Sequence, residues 1–165
     1  MKRPFAVFLF LTGLTFNAVA QQAATSHAES VQQINTVIES FRTAIIKHDG
    51  KTLSALFLPE HSNWLEVLAD PLFGKVKEKH PEVQKVKQSN FQTFAEFVTT
   101  AKEPIEEQFN NIHVDTNGSI AAVYFDFTFL ENGKPVNRGS ETWQLINTES
   151  GWKIGAMLYS SGGVN

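Results

Sequence analysis

Apolar positions recur along this chain with two different periods. Val31, Ile34, Ile38, Phe41 and Ile45 are spaced by three and four residues, which predicts an amphipathic helix with one apolar stripe. Ser26 and Glu29 have the capping-box spacing that would start it, and Gly50 stands where a left-handed C-terminal cap would end it. Leu53, Leu56 and Phe57 predict a second, short helix within residues 51–58, closed by Pro59. Residues 62–69 read as a strand with Trp64 as its largest anchor. Residues 71–88 are polar, carry five lysines, and read as a solvated loop or exposed helix. Ser89 to Gln92 repeats the capping-box spacing. Phe91, Phe94, Val98 and Ala101 then share one helical face, and Pro104 ends that helix.

From residue 108 to residue 161 the period becomes two. Runs at 109–115, 120–131, 138–147 and 152–160 are rich in β-branched and aromatic residues, separated by Asn117-Gly118, Asn132-Gly133 and Glu149-Ser150-Gly151. Asn-Gly supplies the positive φ angles of a two-residue hairpin turn. The first such turn would set Ile112 opposite Val123, His113 opposite Ala122 and Asn111 opposite Tyr124. Alternation then places Ile112, Val114, Val123, Phe125, Phe127 and Phe129 on one face. With simple registers in the later hairpins, Phe109, His113, Tyr124, Asp126, Glu141, Trp143, Leu145, Ile154 and Leu158 fall on the other. A bulge at Gly139 would flip everything after it. Both faces hold apolar residues, so either both are covered or one is a subunit interface. Helices followed by an antiparallel meander imply an α+β fold, with the helices packed on a curved sheet.

The first residues stand apart from this pattern. Lys2 and Arg3, an apolar run at 5–16 and Ala18-Val19-Ala20 have the form of a secretory signal peptide cleaved after Ala20. The expected organisation is a signal peptide at 1–20, a short tail at 21–27, one domain at 28–161 and a C-terminal tail at 162–165. Location would be the periplasm or the exterior, with no membrane span in the mature chain. Losing Lys2 and Arg3 takes the basic count from 14 to 12 against 17 acidic residues, about −5. An acidic chain without a basic cluster is a poor nucleic-acid binder. With no cysteine there are no disulfides, thiol chemistry or cysteine metal sites. The five histidines, at 27, 48, 61, 80 and 113, lack ligand spacing, so neither a metal nor a cofactor is expected.

Certain residues in this order resemble the nuclear transport factor 2-like superfamily, which includes SnoaL-like and ketosteroid isomerase-like proteins. They are His48-Asp49-Gly50 with Leu53 and Leu56-Phe57, then Asn117-Gly118-Ser119-Ile120-Ala121 and Glu141-Thr142-Trp143-Gln144-Leu145. Gly151-Trp152-Lys153-Ile154 and Tyr159-Ser160-Ser161 complete the set, which spans about residues 28–161. The resemblance implies a cone-shaped α+β barrel with a pocket between helices and sheet, often dimeric through the outer sheet face. Members include isomerases, cyclases, dehydratases and binding domains without catalysis. No catalytic motif of the family is found here, so no residue role is carried over.

The candidate chemistry lies on the second sheet face. Tyr124, Asp126, Glu141 and His113, with Phe109, Trp143 and Ile154, form the expected ligand pocket. A carboxylate in such surroundings would have its pKa raised by desolvation and act as acid or base, and a tyrosine hydroxyl beside it would polarise a carbonyl. The competing reading makes the acids wetted-face partners of Arg138 or Lys153 and the aromatics core packing. Three functions follow. One is binding of a small, mostly apolar molecule with a polar handle. Another is isomerase, cyclase or hydro-lyase chemistry, with Asp126 or Glu141 as acid/base and Tyr124 as donor. The last is a homodimeric interaction module.

Overall fold

The computed structural model describes residues 15–164, with side chains from residue 26 onward. Most of the expected signal peptide lies outside the described residues. Ten elements follow in order: α1 (Thr15–Ile46), α2 (Gly50–Ser54), β1 (Asn63–Leu68), α3 (Asp70–Lys79), β2 (Val86–Ser89), α4 (Phe91–Thr100), β3 (Ile105–Thr116), β4 (Ile120–Glu131), β5 (Lys134–Thr148) and β6 (Gly151–Ser161). Six strands form one sheet in the order β2-β1-β6-β5-β4-β3, antiparallel except that β1 runs parallel to β6. Helices α1, α2 and α4 pack over one face of it, giving the α+β architecture that the pattern predicts and the cone that the resemblance implies, while α3 buries no residue. Among the described residues no helix is long and apolar enough to cross a membrane.

Helix α1 buries Ile34, Val37, Ile38, Phe41, Ala44 and Ile45; of the expected stripe Val31 is only half-buried, and Val37 and Ala44 are additions. Its start differs from expectation. The helix runs through Ser26 and Glu29, so this spacing caps nothing. Its end differs too. The left-handed residue is His48, at φ 57°, while Gly50 opens α2. Asp49 caps α2 by accepting from the Thr52 N–H at 2.9 Å. Gly50 is required for another reason, since a Cβ there would overlap the Ala95 carbonyl oxygen and Thr99 Oγ1 of α4. Helix α4 is capped by Asn90, one residue later than the sequence spacing suggests, through the Thr93 N–H at 2.8 Å.

Each hairpin of the meander carries one extra residue, and these bulges decide which side chains face inward. Asn117 Oδ1 accepts from the Ser119 and Ile120 N–H groups, which widens the first turn and pairs Thr116 with Ala121. Val114 therefore meets Val123 and His113 meets Tyr124. At Asn111, with φ 53°, a bulge reverses the alternation and brings Phe109 opposite Phe127 on the inner face. In the second hairpin Asn132 and Gly133 make the tight turn, at φ 52° and 71°. Val136 is then unpaired, so Phe129 meets Asn137 and Phe125 meets Glu141. In the third hairpin the extra residue is Gly155, which sets Ile154 opposite Leu145 and Met157 opposite Trp143.

This sorting corrects the expected faces. Phe109, Glu141, Trp143, Leu145 and Ile154 point inward with Val123, Phe125 and Phe127. His113, Tyr124, Asp126 and Leu158 point outward. The phenylalanine stripe of β4 is core beneath the helices. The parity change expected at Gly139 occurs three residues earlier, at Val136. Gly139 instead lets two strands approach, because a Cβ there would overlap the Ser160 carbonyl oxygen. Gly139→Ala is expected to destabilise by about 1–3 kcal/mol through this overpacking. Urea unfolding would show it as a lowered midpoint, and an unchanged midpoint would mean that the strands part at little cost.

Candidate functional site

The inner face leaves one aromatic-walled cavity of about 350 Å³ between helices and sheet. Phe41 of α1 and Phe94, Phe97 and Thr93 of α4 form the helical side. Trp64, Phe127, Phe129 and Tyr159 form the sheet side. The Trp64 ring lies 5.3 Å from Phe94 and 6.3 Å from Tyr159, and Phe127 lies 6.1 Å from Tyr159. Ser89, Asn137 and Glu131 complete the lining.

Two carboxyl groups open into this apolar space. Glu107 of β3 is 6% exposed and Glu141 of β5 is 4% exposed. Local sheet geometry puts them together. Glu107 pairs with Phe129 and Glu141 with Phe125, and the row between them is Phe109–Phe127–Gly139. Gly139 contributes no side chain to that row.

Their electrostatics follow from burial. Desolvation raises the Glu107 pKa from 4.5 to about 8. Glu141 is pushed well above the ordinary value, first by burial and then by the charge of Glu107. As two interacting sites they titrate as a pair. Around neutral pH the pair holds protons. Glu141 Oε2 has no hydrogen-bond partner, and neither do the buried indole nitrogens of Trp64 and Trp143. Buried polar atoms are rarely left so in a native protein unless something else meets them. The Tyr159 hydroxyl is held neutral by burial and by the neighbouring charges of Glu66 and Glu141.

Of the residues expected to line a pocket, Glu141 lines this one. Phe109, Trp143 and Ile154 lie in the core next to it, with the Phe109 and Phe125 rings 4.4 Å apart. His113, Tyr124 and Asp126 are on the opposite face of the sheet. There Asp126 accepts from Asn111 Nδ2 and Ser140 Oγ, each at 2.8 Å, and from the Tyr124 hydroxyl at 3.4 Å. The Asn111 and Ser140 bonds lower its pKa, the reverse of the shift expected for a pocket carboxylate. Glu107 escapes sequence reading because its strand begins at Ile105, earlier than the aromatic run suggests. The signal was available. Ile105, Glu107 and Phe109 alternate, so a glutamate occupies an inward position between two apolar ones.

Among the described residues there is no group of three or more His, Asp or Glu side chains that could hold a metal ion.

No family model matches the sequence, and no curated protein matches it. Solved structures do match in shape. A proposed scytalone dehydratase from Novosphingobium aromaticivorans aligns with TM-score 0.62 and 11% identity over 84% of this chain and 87% of that one. A proposed dehydratase of the nuclear transport factor 2-like family from Streptomyces avermitilis aligns with TM-score 0.59 and 20% identity, over 81% and 96%. A nuclear transport factor 2-like protein with a cystatin-like fold, also from Novosphingobium aromaticivorans, aligns with TM-score 0.61 and 12% identity, over 92% of each chain.

Proposed function

We propose that this chain, which has the fold of nuclear transport factor 2-like proteins, binds a small, mostly apolar molecule with one polar handle in its aromatic cavity. One observation carries the reading. A cavity of about 350 Å³, within the range of about 300–1,000 Å³ typical of ligand sites, is lined by two buried carboxyl groups, and Oε2 of one of them, Glu141, has no hydrogen-bond partner in the protein. Aromatic faces supply apolar contact, and Glu107 and Glu141 fix orientation.

A second reading is favoured by the Glu107 pKa of about 8. A carboxylic acid that keeps its proton near neutral pH is a general acid, and Glu107 once ionised, above about pH 8, would act as a base. Isomerisation or loss of water from an alcohol would use such a group. The dehydratase descriptions of two structural neighbours agree with that chemistry.

Export and self-association belong to the same proposal. The charged start, apolar run and Ala18-Val19-Ala20 support cleavage after Ala20. Exposed Ile120, Tyr124, Ile146 and Leu158 on or beside the outer sheet face support a homodimer.

Native mass spectrometry of the protein purified from its own compartment tests these points together. The expected spectrum shows a chain starting at Gln21, a subunit count of two, and a retained small molecule. Phe94→Trp, which fills the cavity, should release that molecule. Asp126→Asn, on the outer face, should retain it. A molecule released by Asp126→Asn and kept by Phe94→Trp would place binding elsewhere.

A further inference from the structure

We infer that the polar handle is a positive charge: the cavity is shaped for a small organic cation, a protonated or quaternary amine on an apolar body. This inference rests on the cavity-binding reading above and narrows it.

The argument starts from what the cavity lacks. Its lining contains Glu107, Glu131 and Glu141 and no lysine, arginine or histidine. Buried carboxylates are normally paired with a cation or kept neutral by protonation. Here no protein cation faces them. The nearby Lys87 is occupied on the rim of the sheet, 3.8 Å from Glu66. An anionic ligand would meet a lining with three carboxyl groups and no cation. A neutral oxygen can accept from both protonated carboxyls, but it gains no charge attraction when one of them ionises. A cation does gain, because it supplies to one ionised carboxyl the counter-charge that no side chain of the lining provides.

The walls point the same way. Trp64, Tyr159, Phe94 and Phe97 surround the space, and the faces of such rings attract cations as the aromatic cages of quaternary ammonium sites do. The space is too poor in ligands for a metal ion. In the free protein the carboxyl pair is kept neutral by bound protons. On binding, the organic cation enters and one proton leaves to solvent, so the charge inside the cavity balances in both states.

The release of a proton gives the test its sign. The other titratable groups facing the pair are Glu131 on β4, Glu66 on β1 with its partner Lys87 on β2, and the neutral Tyr159 on β6. Helices α1 and α4 contribute only Phe41, Thr93, Phe94 and Phe97 to the lining, none of which titrates. Glu107 is therefore the group that changes state between pH 7 and pH 9.

Isothermal titration calorimetry on the full chain, with benzyltrimethylammonium, 2-phenylethanol and 3-phenylpropionate as probes, decides the matter. The quaternary ion has a fixed charge, so any pH dependence belongs to the protein. Expected are binding of the cation at least about tenfold tighter than the alcohol, and a gain of about tenfold from pH 7 to pH 9 as the competent ionised form fills. Glu107→Gln should abolish that gain and weaken the cation by a larger factor than the alcohol. If this variant does not fold, Glu141→Gln and the wild-type pH profile carry the same test. An alcohol that binds as tightly as the cation, or a cation whose affinity is flat or falls with pH, overturns the charge assignment and leaves the cavity reading standing. Binding of no probe overturns both.

Discussion

Replacing Trp143 with alanine is expected to destabilise the protein by about 3–5 kcal/mol. Trp143 is fully buried, and its ring is packed on three sides. Phe41 of α1 lies 4.8 Å away, Phe125 of β4 meets it edge-on at 5.0 Å, and Phe109 of β3 lies at 6.1 Å. Truncation removes the transfer energy of the indole and leaves a void bounded by a helix and two strands, which do not collapse into it easily. The residue also joins elements distant in sequence, so the loss should appear as a lower denaturation midpoint with an unchanged denaturant slope. A loss well below 1 kcal/mol would mean that β5 presents its other face to the core.

Stability should fall as pH rises from about 4.5 to about 8. Below pH 4.5 Glu107 is protonated in both folded and unfolded chains, and its contribution is fully present. Between 4.5 and 8 the unfolded chain releases a proton that the folded chain keeps. Each pH unit then removes about 1.4 kcal/mol, so the window amounts to on the order of 5 kcal/mol, after which the slope vanishes. Glu141 is shifted in the same direction and adds to the trend. Asp49 and Asp126 have lowered pKa values, so their opposite contribution acts below this window. Denaturation midpoints at a series of pH values would trace the profile, and Glu107→Gln should make it shallower, leaving the part that Glu141 contributes. A wild-type profile that is flat or rises with pH would show that Glu107 is solvated.

How far the sequence reveals the site depends on bulges. The helices, the strand order of the meander and the inward phenylalanines of β4 are legible because 3.6- and 2-residue periods survive in the side chains. Val136 shows why the candidate pocket is harder to read. One unpaired residue reverses the alternation of all of β5 beyond it, so Glu141 and Trp143 join Phe125 rather than Tyr124. Nothing in the residue type of a valine announces that it will be skipped by a ladder. Asn111 does carry a trace, since asparagine tolerates the left-handed conformation it adopts here. Glu107 is missed for another reason, a strand boundary read by its aromatic content alone. Gly50 and Gly139 are visible as glycines, but the close approaches that require them join residues far apart in the chain.

The Asn111 bulge has a consequence beyond aiming Phe109. The sheet is open at both ends, so every copy of the chain presents β2 and β3 as free borders on which a foreign strand could form. β2 is short, and Lys85 and Lys87 bring charge to it. β3 is 12 residues long and would be the greater hazard if it were flat. The kink at Asn111 interrupts its row of outward N–H and C=O groups near the middle, and Glu106, Gln108 and Asn110 keep its rim polar. The same distortion that turns a phenylalanine toward the cavity thereby guards a crowded population of these molecules against zipping together edge to edge.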